Sequence, residues 1–130
     1  MLRKAPFLFM LIFTVSVNTV HAGIGESWSF EKDEADSKDF TNSQQGVIYG
    51  CSSFMPRLVS FKLNYTNEKI EPKIKIGNVG VVKKTSKLEY RIESVEQLEL
   101  TYPKGGGYLL TNETGEKVVG INCDSGIVTN

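Results

Sequence analysis

The chain has 130 residues, 15 basic and 15 acidic, with a formal net charge of +0, so it lacks the cationic surplus that holds nucleic acid. Its length fits one domain with a modest core. A single histidine, His21, and two cysteines, Cys51 and Cys123, leave little material for catalytic or metal chemistry.

In chain order, Arg3 and Lys4 precede an apolar run from Phe7 to Val17, and Val20-His21-Ala22 follows. This is the charged, apolar and small-residue plan of a secretory signal over residues 1–22. The run is shorter than the about 20 residues needed to span a bilayer. No cysteine stands near the cleavage site to carry a lipid, and no later stretch is apolar enough for a span. The expected mature chain is residues 23–130, a single β domain with no membrane association. Cleavage removes Arg3, Lys4 and His21, leaving a slight acidic excess and no imidazole.

Trp28 and Phe30 open a pattern of period two. Val47, Tyr49 and Cys51 continue it, as do Val59, Phe61, Leu63 and Tyr65, then Ile74 and Ile76. Leu88, Tyr90 and Ile92 follow, then Leu98, Leu100 and Tyr102, and finally Val119, Ile121 and Cys123. Each run predicts a strand with one buried and one wet face. Turn signals lie at Thr66 to Glu68, Gly77-Asn78, Pro103 to Gly107, Asn112 to Gly115 and Asp124-Ser125-Gly126. Pro72 marks its strand as an edge, or as one that starts just after it. Ser94 to Gln97 has the pattern of one capped helical turn, and the polar stretch Glu31 to Gln45 reads as a loop or irregular edge. The expected fold is all-β, a small antiparallel sandwich or barrel of about eight strands.

Cys51 and Cys123 each fall on the apolar face of a strand. An even pair in an exported chain predicts one buried disulfide. Its role is stability, by restricting the unfolded chain.

Without histidine, neither a Ser-His-Asp nor a Cys-His site can form, and two cysteines cannot fill a zinc shell. Ser29-Phe30-Glu31-Lys32 matches a Ser-x-x-Lys pattern, but that chemistry needs a helix where this stretch alternates like a strand. Glu89, Glu93, Glu99 and Asp124 are carboxylates on wet faces or turns, better read as solvated surface than as a glycosidase pair. The chain is therefore expected to be non-catalytic and to need no cofactor or metal. Asn64-Tyr65-Thr66 and Asn112-Glu113-Thr114 match the glycosylation sequon.

Two segments stand out for binding. Lys104, Gly105, Gly106, Gly107 and Tyr108 form an expected mobile finger whose glycines allow close approach and whose tyrosine is a hot-spot type; the alternative places Tyr108 in the core. Glu31, Asp33, Glu34 and Asp36, with Asp39 beyond them, gather acids that would steer a basic partner. Contact is expected through these loops, because strand faces otherwise carry mixed charge.

The Met1 to Ala22 signal, the β-rich body and the lone Cys51 and Cys123 pair resemble the periplasmic immunity proteins kept against type VI secretion effectors, notably those directed at vibrio muramidases. Gly46-Val47-Ile48-Tyr49-Gly50-Cys51, followed by Leu58 to Tyr65, is similar to a cysteine-ending strand and its neighbour in such proteins. The resemblance implies a periplasmic homodimer that binds and blocks a cognate effector, a cell-wall hydrolase. The competing expectation is a structural or adhesive β-module of the envelope.

Overall fold

The computed structural model describes residues 26–128, so the signal expected over residues 1–22 lies outside them. The described chain forms β1 (Glu26–Phe30), β2 (Ala35–Asp39), β3 (Gly46–Met55), β4 (Val59–Tyr65), β5 (Lys73–Ile76), β6 (Val81–Ser86), β7 (Glu89–Val95), β8 (Leu98–Tyr102), β9 (Gly107–Asn112) and β10 (Val118–Val128). One sheet runs β1-β10-β3-β8-β5, the other β2-β9-β4-β7-β6. Every pairing is antiparallel, and the two sheets remain open as a sandwich rather than closing into a barrel.

Alternation builds the core directly. Val59, Phe61, Leu63 and Tyr65 are all buried from β4, and Leu98, Leu100 and Tyr102 from β8. Aromatic rings join the sheets: Phe30 and Phe61 meet edge to face at 5.3 Å, and Tyr102 and Tyr108 stack at 4.5 Å with planes 4° apart. Such pairs add about 0.5–1.5 kcal/mol each beyond the area they bury.

Ten strands occur among the described residues, against the about eight expected. The two with the weakest sequence signal are β2, Ala-Asp-Ser-Lys-Asp, and β6, Val-Val-Lys-Lys-Thr-Ser. Both are edges of the second sheet. An edge strand buries little and is held by backbone pairing, so its side chains carry almost no periodic signal, and charge there also discourages unwanted pairing. The expected loop at Glu31 to Gln45 is thus partly strand. No helical turn forms at Ser94 to Gln97. Ser94 instead takes a left-handed φ of 56° where β7 slips register against β4, and its N–H donates to the Ser60 hydroxyl at 3.0 Å. Leu88 lies in the turn before β7 and is exposed. Pro72 does stand immediately before an edge strand, β5.

Cys51 on β3 and Cys123 on β10 are direct cross-strand partners, joined as a disulfide and almost fully buried. The strand around Cys123 is less regular than its sequence. Val118 and Gly120 face the core, Ile121 is 40% exposed, and Cys123 faces the core again. Asn122, at φ 58°, switches the phase, while β1 slips by one residue against this stretch. The expectation that Val119, Ile121 and Cys123 share a buried face is therefore corrected: a bulge turns Ile121 outward. Asp124-Ser125-Gly126 is not a turn either, since β10 continues its pairing with β3 as far as Val128 opposite Gly46.

Gly120 makes room for the bridge. A Cβ there would stand 2.7 Å from both sulfurs and 3.0 Å from the Trp28 Cβ. Overpacking of this kind costs about 1–3 kcal/mol, so Gly120→Ala is expected to lower the urea midpoint without altering the unfolding slope. An unchanged midpoint would contradict this packing.

Candidate functional site

The segment Lys104 to Tyr108 is tied down rather than mobile. The Gly105 N–H donates to the Phe40 carbonyl and the Phe40 N–H to the Gly106 carbonyl, both at 2.8 Å, and the Gly107 N–H donates to the Thr66 hydroxyl at 2.9 Å. Gly105 adopts φ 96°, which only glycine accepts readily. A Cβ on Gly106 would come within 2.9 Å of the Tyr108 hydroxyl. The glycines therefore accommodate the protein's own tyrosine. Tyr108 is 3% exposed, its hydroxyl donates to the Pro103 carbonyl at 3.0 Å with the Ile70 carbonyl at 3.3 Å, and burial pushes its pKa up to about 12. The expected finger is corrected on this point: Gly106, Gly107 and Tyr108 are buried, and Lys104 is the exposed side chain of the segment.

The acidic segment does not form one patch. Glu31 pairs with Lys117 at 3.5 Å, and Glu34 accepts the Glu31 N–H at 2.7 Å. Asp33 sits in the β1–β2 turn at φ 62°. Asp36 lies on β2 opposite the buried Leu110, paired with Lys38 at 3.2 Å. Lys38 in turn stands 5.8 Å from the centre of the Tyr49 ring. The Thr41 hydroxyl and N–H both donate to Asp39 and hold its carboxyl below the usual range.

Asn112, one of the two sequon asparagines, is fully buried. Its amide donates to the Glu31 and Glu116 carbonyls at 3.1 and 2.8 Å, and its oxygen accepts the Thr114 N–H at 2.9 Å. It fastens two turns together. Among the described residues no cluster of three or more His, Cys, Asp or Glu side chains is arranged to hold a metal ion.

The two sheets differ in what their outer faces offer. On the second sheet, Lys62 and Arg91 share Glu113 at 3.7 and 2.5 Å, Arg91 also reaches Glu89 at 3.7 Å, and Lys83 pairs with Glu93 at 3.1 Å. Glu89 is held below its usual pKa, chiefly by the Thr85 hydroxyl. This face is a lattice of compensated charge.

The first sheet is different. Its longest strands, β3 (Gly-Val-Ile-Tyr-Gly-Cys-Ser-Ser-Phe-Met) and β10 (Val-Val-Gly-Ile-Asn-Cys-Asp-Ser-Gly-Ile-Val), carry one charge between them, Asp124. Because Cys51 and Cys123 face inward, alternation turns Ile48, Gly50, Asp124 and Gly126 outward. Rows run straight across the sheet: Gly126 opposite Ile48 and Thr101, then Asp124 opposite Gly50 and Glu99. Nothing lies within 4 Å of where a Gly126 Cβ would stand. Further along the same strands, Met55 is 62% and Ile121 40% exposed. The result is a glycine-lowered face on which β3 and β10 contribute a single charge, Asp124. Glu99 and Asp124, unconnected in sequence, flank Gly50 on it: the Glu99 Cγ and an Asp124 carboxylate oxygen stand 3.8 and 3.9 Å from a Gly50 Cβ position.

Comparison with protein-family models, with curated proteins and with solved structures finds no match.

The signal for this face was present in the chain. β3 and β10, the two longest strands, carry one charged residue between them, whereas the shorter β4, β7 and β8 place Lys62, Glu89, Arg91, Glu93 and Glu99 on their outward positions.

Proposed function

We propose that this chain is an exported immunity or inhibitor protein that binds a peptidoglycan-hydrolysing muramidase effector in the periplasm and blocks it. The outer face of β3 and β10 is the contact surface. The observation that carries this reading is that face: outward-facing and nearly free of charge on the two longest strands, with Met55 and Ile121 exposed along it, opposite a sheet whose outer charges are paired. Interface centres are depleted of charge and need close shape fit, and contiguous apolar surface on a small protein marks a binding site. A domain stapled by a buried disulfide also loses little conformational freedom on docking. The secretory plan of residues 1–22 would deliver it to the compartment where a wall hydrolase acts.

The test is inhibition of muramidase activity on peptidoglycan by the mature protein, with Ile121→Lys and Gly126→Glu beside the wild type. Both positions are open enough to leave the fold intact. A charge at the centre of such a contact is expected to weaken inhibition roughly 30-fold, about 2 kcal/mol, with an unchanged melt. A wild-type chain that neither binds nor inhibits the effector made beside it would end the reading. Undiminished inhibition by both variants would move the contact elsewhere.

A further inference from the structure

The sandwich has four edge strands, β1 and β5 in the first sheet and β2 and β6 in the second. The edges of the second sheet carry ion pairs of their own. Asp36 pairs with Lys38 on β2, and on β6 Lys83 pairs with Glu93 and Lys84 with Glu71. Strand β5 differs. Its sequence is Lys-Ile-Lys-Ile, Lys73 and Lys75 are exposed, and neither has an ion-pair partner among the described residues. Glu99 lies opposite Lys75 on β8, flanked by Gly50 on its other side, and forms no ion pair among the described residues. Lys69 and Lys104 are exposed near the start of β5, where the Gly105 loop approaches Ile70, and they too are without an ion pair among the described residues.

This edge is also held in place. Just before β5, Glu71 accepts from the Tyr90 hydroxyl at 2.6 Å and from the Lys84 ammonium at 2.7 Å, and these two donors keep its carboxyl below the usual range. Pro72, which follows, is buried. The strand pairs with β8 on one side, so alternate N–H and C=O groups on its other side face outward. Ile74 and Ile76, half-buried, lie against the margin of the core.

We propose that β5 is a docking edge for an extended segment of a partner protein that alternates acidic and apolar residues, added as a further strand to the first sheet. The pattern follows from the pleat. Side chains of an added strand fall about 4.5–5.5 Å from their β5 neighbours on the same face. Residues beside Lys73 and Lys75 would be carboxylates, and those beside Ile74 and Ile76 would be apolar and extend the core. Lysines on a short edge exclude most strands; an acidic segment is the kind they admit, so the same residues supply both attraction and rejection. This surface does not depend on which face the hydrolase occupies.

Two short synthetic peptides test it, one alternating glutamate with valine and one alternating lysine with valine. Binding is followed by amide hydrogen exchange and chemical-shift changes in the intact mature protein. The acidic peptide is expected to protect β5 amides that do not bond β8, and to bind on the order of tenfold more tightly than the basic one at low salt, with the difference shrinking as salt rises. In the double variant Lys73→Glu/Lys75→Glu the preference should reverse. Equal binding of both peptides, protection confined to other strands, or no response at β5 to either peptide would each overturn the proposal.

Discussion

Tyr108→Ala is expected to lower the stability of the domain by about 3–5 kcal/mol, the usual loss when a buried aromatic ring becomes a cavity. The ring is stacked on Tyr102 at 4.5 Å and lies 6.3 Å from the Phe40 ring, so its removal takes one layer out of the contact between the sheets. Tyr108→Phe separates ring from hydroxyl. It removes the donor to the Pro103 carbonyl and should cost about 1 kcal/mol. Urea melts of the two variants check the ratio. A Tyr108→Ala protein that melts like the wild type but binds its partner weakly would place the ring at an interface and undo the packing described above.

The second large effect is on the bridge. Cys51→Ser is expected to cost about 2–5 kcal/mol and to lower the melting temperature by roughly 10 °C or more. Two causes combine. The bond closes a sequence separation of 72 residues, which restricts the unfolded chain. Its loss also leaves a hydroxyl and a thiol among Gly120 and Trp28, where both sulfurs now pack. Since Cys51 and Cys123 are 4% and 1% exposed, mild reductant should leave the native protein oxidised. Thiol labelling without reductant should find no free thiol, native or denatured. Two labelled thiols per chain would disprove the bridge.

Much of the fold was legible because a buried face imposes period two wherever a strand is long and half-covered. Val59 to Tyr65 and Leu98 to Tyr102 show the pattern without exception. β2 was not legible, because an edge strand is specified by its neighbour's backbone and its own side chains are free to be Asp, Ser and Lys. The candidate face is not legible in the alternation for a related reason. The expectation of contact through loops rests on the premise that outer strand faces carry mixed charge. That holds for Lys62, Arg91 and Glu93 on the second sheet, and it fails for β3 and β10.

Local chemistry alone determined the all-β class, the inward direction of Cys51 and the strand start announced by Pro72, since each depends only on a residue and its near neighbours. Tertiary structure decided the rest. Asn122 reverses the strand phase and sends Ile121 outward. The turn signal at Asp124-Ser125-Gly126 yields to pairing with β3. Gly106 opens space for Tyr108, and Glu99 and Asp124 meet across Gly50. In each case the deciding partner is distant in the chain or the backbone departs from regular geometry. A pattern of side chains along one segment carries no record of either.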